Sequence, residues 1–200
     1  MSRELYLECA SGISGDMFTA ALLDLGADQD VLRKALDSLR LPGYRVEISR
    51  VTKSGLAACD FSVHLDAEHE NHDHDMEYLH GADAGNHVHG TEHSHVQHHS
   101  HQHIHEHRGL ADIMAVIEQA DLSDYARNTA VRIFEILAEA EAKAHGVSID
   151  QVHFHEVGAI DSMVDIISVA VSVDNLGVDD VVVSALAEGH GHVHCQHGVL

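Results

Sequence analysis

The fold class is set near the start of the chain by ELYLECASGISGDMFTAALLDLG, which occupies residues 4–26. The pattern predicts a β-strand over residues 4–9 and an α-helix over residues 16–25, which Gly26 ends. A turn of small residues joins the two. A strand that leads through a glycine turn into a helix is typical of α/β proteins, so this class is predicted for the chain.

The turn itself holds the candidate residues for binding a phosphorylated ligand. Such a turn leaves backbone N–H groups pointing outward at a helix N-terminus, where phosphate or carboxylate oxygens are stabilised. Neither the G-x-G-x-x-G pattern nor the Walker lysine is present, so a purely structural tight turn is an equally good interpretation. The candidate residues are Ser11, Gly12, Ser14, Gly15 and Asp16.

Strand and helix patterns continue to alternate along the rest of the chain. Tyr44, Val46 and Ile48 alternate with polar residues, as in a half-buried antiparallel strand, and apolar residues recur every three or four positions beyond residue 107. We therefore expect a mixed sheet with flanking helices. The predicted elements are helix 30–39, strands 44–51 and 56–65, helices 110–117, 124–144 and 160–176, and strand 180–186. A turn around Lys53-Ser54-Gly55 is expected between the first two strands, and Ser123 and His145-Gly146 are expected to begin and end the helix at 124–144.

A histidine-rich tract interrupts this pattern over residues 68–107. Neutral imidazole is the commonest protein ligand for nickel, zinc, copper and cobalt. No Lys or Arg lies between Asp66 and His107, so bound cations or protonated imidazoles are the expected counter-charges of the acids there. The apolar residues have no period, which predicts a disordered insert without metal. The candidate metal ligands are His69, His72, His74, His87, His89, His93, His95, His98, His99, His101, His103, His105 and His107.

We predict one discontinuous domain, formed by residues 1–67 and 108–200, into which residues 68–107 are inserted as a flexible metal-binding segment. A second group of soft and borderline metal ligands lies near the end of the chain. The chain stops at Leu200 directly after a glycine turn, so we expect the domain to be truncated and to have a remainder. This second group comprises His190, His192, His194, Cys195 and His197.

The segment VHFHEVGAIDSMVD at residues 152–165 carries the candidate catalytic side chains. If its start is extended, His153 and His155 project from one face about 7 Å apart. Asp161 and Asp165 are one helical turn apart and share a face. With Glu156, these side chains could hold a metal or supply a base. The alternative is that Asp161 caps the helix and Asp165 is solvated.

Composition limits the partners and the compartment. The formal net charge is −22 with only 11 Lys and Arg, which argues against nucleic-acid backbones and anionic membranes as partners. There is no signal peptide pattern and no apolar run long enough for a membrane span. The three cysteines are far apart without a Cys-x-x-Cys pair, which favours a reducing cytoplasm. A homo-oligomer is compatible with these features.

Three motifs together resemble one family. They are LYLECASGISGDM at residues 5–17, VHFHEVGAIDSMVDI at residues 152–166 and GHGHVHCQHGVL at residues 189–200. With the histidine tract between the first two, the chain resembles, from Leu5 to Leu200, the nickel insertion proteins of nickel-pincer cofactor biosynthesis, the LarC family.

The resemblance implies a nickel cyclometallase, a nickel chelatase of the lyase class. Such an enzyme places nickel into pyridinium-3,5-bisthiocarboxylic acid mononucleotide through one nickel–carbon and two nickel–sulfur bonds, and consumes CTP with a divalent cation. The product is the cofactor of lactate racemase and related enzymes. The family's polypeptide continues beyond the point that matches Leu200 and binds CTP there, so the C-terminal half of the same protein is an expected partner.

Two other function classes compete with insertion. A nickel storage protein without chemistry of its own would need the same histidine tract. A metal-responsive regulator is disfavoured by the acidic balance and by the absence of a basic recognition helix. Composition alone leaves nickel, zinc and cobalt as alternative ions.

Overall fold

The computed structural model of the chain describes residues 2–66, 108–154, 160–187, 189, 191–192, 194–195 and 198–199. Helices and short strands alternate through these residues. The strands are β1 Glu4–Leu7, β2 Tyr44–Lys53, β3 Leu56–Leu65, β4 Arg108–Gly109, β5 His153–Phe154, β6 Asp180–Val183, β7 His194–Cys195 and β8 Gly198–Val199. The helices are α1 Gly15–Leu25, α2 Gln29–Asp37, α3 Leu110–Gln119, α4 Asp124–His145 and α5 Ile160–Asn175, with a 3₁₀ turn at Ile149–Gln151.

The strands pair two by two within the described residues, and both directions of pairing occur. β1 and β6 are parallel, with Glu4 opposite Asp180 and Leu7 opposite Val183. β2 with β3, β4 with β5, and β7 with β8 are antiparallel. The β7–β8 pair belongs to a second compact unit. The other six strands, β1 to β6, and all the described helices belong to the first unit.

The β2–β3 hairpin is the longest strand pair in the first unit. Its register runs from Tyr44 opposite Leu65 to Lys53 opposite Leu56. The connecting residues, Ser54 and Gly55, both have positive φ values, of 52° and 83°. A two-residue loop with this backbone matches the twist of the strands, which explains why Ser54-Gly55 can connect β2 directly to β3.

Helix α5 forms the centre of the core of the first unit. Met163, Val164, Ile167 and Ala170 are fully buried in it, and the helix packs against α1, α2, α4 and β3. Burying each of the larger apolar side chains contributes roughly 1.5–3 kcal/mol to stability. The buried side chains of α5 are therefore held in place by packing on several sides.

The ends of the helices follow from local capping. The Ser123 hydroxyl accepts a hydrogen bond from the backbone N–H of Ala126 at 3.0 Å and starts α4. Gly146 ends the same helix in the left-handed conformation, and Gly26 does so for α1. Both kinds of cap were predicted from the sequence, because serine offers an acceptor and glycine tolerates positive φ.

The predicted α/β class with parallel and antiparallel pairing is confirmed. The helices predicted over residues 16–25, 124–144 and 160–176 are present within one residue at each end. Two strands are shorter than predicted, since β1 ends at Leu7 and β6 at Val183. Beyond these ends the two segments still lie side by side. The Cys9 N–H, however, donates to the Ser184 hydroxyl at 2.9 Å instead of to a backbone carbonyl, so the regular backbone hydrogen bonding of the strands stops.

No helix in the described part of the chain is both long enough and apolar enough to cross a bilayer. The domain boundaries predicted around residues 67 and 108 fall at the edge of the described residues and stay a prediction.

Candidate functional site

The start of α1 lies against the first turns of α5, and this contact brings predicted site residues together. The contact depends on Gly15, because a β-carbon there would be 2.6 Å from the Cβ and the Oδ2 of Asp165. Only glycine lets the two helices approach this closely without displacement. Gly15 and Asp16, from the predicted phosphate-binding turn, thus lie next to Asp165, from the predicted catalytic segment.

Asp16 stabilises the start of α1 with its own side chain. Its Oδ1 accepts hydrogen bonds from the Met17 N–H at 2.8 Å and from the Ser14 hydroxyl. Ser14 occupies the N-cap position but makes no side-chain cap bond. A carboxylate in the first turn also interacts favourably with the helix dipole. The N-terminus of α1 is therefore already supplied with an anion by the chain itself.

Asp165 is the most perturbed carboxyl group of this cluster. Burial raises its pKa to about 7, and the negative charges of Asp16 and Asp161 act in the same direction, while the Asp16 backbone N–H opposes them. Desolvation and like charge both disfavour the ionised carboxylate. At neutral pH this group therefore exchanges its proton readily, which is the property required of a general base or acid.

Several buried polar atoms near this contact have no hydrogen-bond partner among the described residues. They include Oδ1 of both Asp161 and Asp165, the Thr19 hydroxyl and the Ser168 hydroxyl. Thr19 is one helical turn after Gly15, so it lies on the same face of α1. Buried polar groups are normally paired, so these atoms are candidates for contact with a further group at this site. Asp165 is half-buried, with its Oδ1 inaccessible, so the alternative that this side chain is simply solvated holds at most in part.

This acidic cluster is not a complete metal site by itself. Within the described ranges, no three His, Cys, Asp or Glu side chains are arranged so that they could hold an ion. His153 lies in β5, opposite Gly109 of β4, with an exposed side chain. His155 and Glu156 lie outside the described residues. Asp161 and Asp165 are thus brought together as predicted, and the rest of the proposed fixed site stays a prediction.

The remaining residues of the turn form a tight bend. Gly12 has a φ of 81°, and its N–H donates to the Cys9 carbonyl at 3.1 Å. Among the N–H groups that follow, Phe18 donates to the Ser14 carbonyl at 3.0 Å. Ser11 and Gly12 remain candidate phosphate ligands. At the start of α1, however, the Asp16 carboxylate already occupies the position where a bound anion would lie.

The other predicted metal ligands fall mostly outside the described residues. This applies to the whole histidine tract and to His190 and His197. His192 is exposed, and the backbones of His194 and Cys195 form β7. Their role in metal binding stays a prediction.

Sequence reasoning missed the steric part of the site. Gly15 was considered as a phosphate ligand, whereas its contact with Asp165 is the feature that places the two helices. Thr19 was not considered. The four-residue spacing of Gly15 and Thr19, two small residues on one helix face, is the signal that could have indicated a close helix contact.

Comparison with known proteins places the chain in a family. The family described as nickel insertion protein matches residues 5–200. A pyridinium-3,5-bisthiocarboxylic acid mononucleotide nickel insertion protein of Alkaliphilus metalliredigens is 51% identical over 100% of this chain and 43% of the relative. A protein with the same description from Geobacillus kaustophilus is 37% identical over 98% of this chain and 41% of its own length.

A putative nickel insertion protein of Geobacter metallireducens is 40% identical over 98% of this chain and 42% of its own length. The chain thus spans about two fifths of the length of these curated relatives. No solved structure matches it. On the match over residues 5–200 and the identities above 30%, the chain belongs to the nickel insertion protein family.

Proposed function

We propose that this chain is the nickel-handling part of an enzyme that inserts nickel into pyridinium-3,5-bisthiocarboxylic acid mononucleotide. The observation that carries the proposal is the family match over residues 5–200, together with relatives that are described by this activity. Nickel is the cargo of the reaction, and the mononucleotide is its acceptor. The product would serve as the nickel-pincer cofactor of lactate racemase and related enzymes.

Loading of nickel is the first task, and the histidines of residues 68–107 suit it. Imidazole binds nickel well, but a flexible segment with many equivalent ligands enforces no single geometry and exchanges ions readily. The thiocarboxylate sulfurs of the acceptor are soft ligands that would draw nickel from such a store. The His190–His197 group, with Cys195, could pass the ion along in the same way.

Formation of the nickel–carbon bond is the second task, and it requires a base. A ring C–H bond breaks as the nickel–carbon bond forms, so a proton must leave the ring carbon. Asp165, with a pKa of about 7, can accept that proton at neutral pH and release it afterwards. We place Asp165 in this role, with Asp161 beside it and with His153, His155 and Glu156 orienting the ion.

The phosphate site is assigned from the glycine turn before α1, and CTP binding from the resemblance to the family. The turn at Ser11–Asp16 would approach the phosphate of the mononucleotide, and a phosphate there must coexist with the Asp16 carboxylate or displace it. CTP and its divalent cation would bind the polypeptide that the relatives carry beyond the matched region. A cytoplasmic location fits three cysteines that are far apart in the sequence and form no Cys-x-x-Cys pair.

The test measures nickel insertion by a reconstituted system, in which this chain is combined with the remaining polypeptide that its relatives carry. Glu156→Gln and His155→Ala variants are loaded with nickel and supplied with the mononucleotide and CTP, and the nickelated product is measured by mass spectrometry. We expect nickel loading to be retained and product formation to be abolished. Unchanged product from both variants would refute the assignment of the fixed site.

A further inference from the structure

A cleft of about 360 Å³ lies where α2 ends and β2 begins, and it is basic. Its walls include Arg33, Asp37, Arg40, Leu41, Tyr44 and Arg45. A volume of this size is at the lower end of the range that holds small-molecule ligands. Three guanidinium groups and one carboxylate leave it with a net charge of two positive units.

This concentration of cations runs against the composition of the chain. The protein has 33 Asp and Glu but only 11 Lys and Arg, so most of its basic side chains could find an acidic partner. Arg45 does so weakly, with its Nη1 3.5 Å from the exposed Glu47 carboxylate. Arg33 and Arg40 make no hydrogen bond or ion pair with any described residue. Two guanidinium groups in one cleft of an acidic protein, without a partner among the described residues, favour an external anion.

The backbone of Arg40 adds a second argument. Its φ is 52°, in the left-handed region that glycine or asparagine normally occupies. A larger residue there is strained by roughly 1 kcal/mol or more. Glycine would relieve this strain, so arginine at position 40 costs stability that an interaction of its side chain with a ligand would offset.

The frame of the cleft is rigid. The Tyr44 hydroxyl donates to the Leu36 carbonyl at 2.7 Å, which ties the start of β2 to the last turn of α2. Burial and the Asp37 charge raise the pKa of Tyr44 to about 12, so it remains a hydrogen-bond donor at neutral pH. Leu36 is almost fully buried below it. The arginine side chains are therefore presented from a fixed backbone.

We propose that the Arg33–Arg40–Arg45 cleft is a binding site for the phosphate of a small phosphate monoester. Guanidinium groups bind phosphate through paired, charge-assisted hydrogen bonds, and a monoester phosphate near neutral pH carries a charge close to the two positive units of the cleft. The mononucleotide acceptor of nickel has this chemistry, and its choice as occupant rests on the proposed function. Its single phosphate would then lie in this cleft instead of at the Ser11–Asp16 turn, where the Asp16 carboxylate already occupies the helix N-terminus. The triphosphate of CTP is the other source of the same group.

The experiment titrates the metal-free, reduced chain by calorimetry with inorganic phosphate, a pyridine mononucleotide and CTP. Removing metal prevents phosphate from binding through ions held by histidines. We expect the mononucleotide to bind more tightly than the other two, and Arg33→Gln and Arg40→Gly each to weaken it at least tenfold. Because glycine suits the backbone at position 40, Arg40→Gly should unfold at the same temperature as the parent chain or higher.

Matched controls are Lys53→Gln and Lys143→Gln, each of which removes one basic charge outside the cleft that makes no ion pair with another described residue. They should leave the affinity within about twofold. Absence of mononucleotide binding, or equal loss in the control variants, would overturn the site. Tighter binding of CTP than of the mononucleotide would overturn the occupant. None of these results depends on nickel, so nickel insertion could fail its own test while this site stands.

Discussion

Gly15 of α1 lies so close to Asp165 of α5 that the missing β-carbon would stand 2.6 Å from the carboxylate Oδ2. The nearest atoms include the Asp165 Cβ, which cannot move without moving its helix. A glycine at the start of one helix therefore determines how a carboxyl group on another is buried. The raised pKa of Asp165 follows from the same contact, because the approach of α1 excludes water and brings the Asp16 charge near.

Replacement of Gly15 by alanine should destabilise the protein. Although alanine is the better helix residue, the added methyl group forces α1 and α5 apart, and overpacking of this kind costs about 1–3 kcal/mol. Urea unfolding measures the change. Gly189→Ala is the matched control, because nothing lies within 4 Å of its added β-carbon. Equal effects of the two substitutions would contradict the close contact.

Replacement of Asp165 by asparagine should stabilise the protein at high pH. A carboxyl group whose pKa is about 7 in the folded chain and near 3.8 when unfolded stabilises fully only below about pH 3.8, and that contribution is lost as the pH rises to about 7. Asparagine does not titrate, so its advantage should grow over this interval. At pH 8 we expect a gain on the order of 1–2 kcal/mol, after allowance for partial solvent exposure.

Asp24→Asn provides a control of opposite sign. The backbone N–H of Cys59 and the Arg50 side chain hold the pKa of Asp24 below its ordinary value, so its charge is stabilising above that range. The asparagine variant should therefore unfold more easily than the parent at pH 8. Stabilisation by both substitutions would indicate a general effect of lowering the negative charge of the chain.

Removal of residues 68–107 should separate insertion from storage. An insertase lacking the tract should still form product when free nickel is abundant, and should slow when nickel is scarce. A store would lose most of its bound nickel and have no activity to measure. Product formation at two nickel concentrations, compared with the number of ions bound per chain, distinguishes the two. Loss of product at every nickel concentration would contradict the assignment of the tract to loading.

Replacement of Ser123 by alanine should cost about 1 kcal/mol or somewhat more. Its hydroxyl caps α4 by accepting from Ala126, and it also donates to the Asp174 carboxylate of α5 at 2.6 Å. Thermal unfolding measures the loss. Ser148→Ala is a suitable control, since Ser148 precedes the 3₁₀ turn without a side-chain cap bond. A similar loss in the control would show that the cap at Ser123 is unimportant.

The sequence predicted most of the secondary structure because its signals are local. The Ser123 and Gly146 caps, the Ser54-Gly55 turn and the three-and-four spacing on α5 each act within a few residues. The pairing of β1 with β6 depends on residues far apart in the chain, and no local pattern encodes it. β1 and β6 end earlier than predicted for the same reason, because the hydrogen bond between Cys9 and Ser184 also joins residues far apart in the chain.

The candidate site was predicted in part. The spacing of Asp161 and Asp165 placed them on one helix face, and this required only helical geometry. Their burial, and the approach of Gly15 and Asp16, depend on helix packing that spacing does not determine. The basic cleft was missed because Arg33, Arg40 and Arg45 follow no motif. The signal was that residues 33–45 hold four of the 11 Lys and Arg of an acidic chain.

The most direct test of the central claim follows nickel from this chain to its acceptor. The reduced chain is loaded with nickel, freed of excess metal, mixed with pyridinium-3,5-bisthiocarboxylic acid mononucleotide, and separated by ultrafiltration before metal analysis of both fractions. We predict that the chain binds nickel far more tightly than magnesium and that the sulfur-bearing acceptor then removes it. Nickel that stays with the protein in the presence of excess acceptor, or binding no tighter than that of magnesium, would contradict the account.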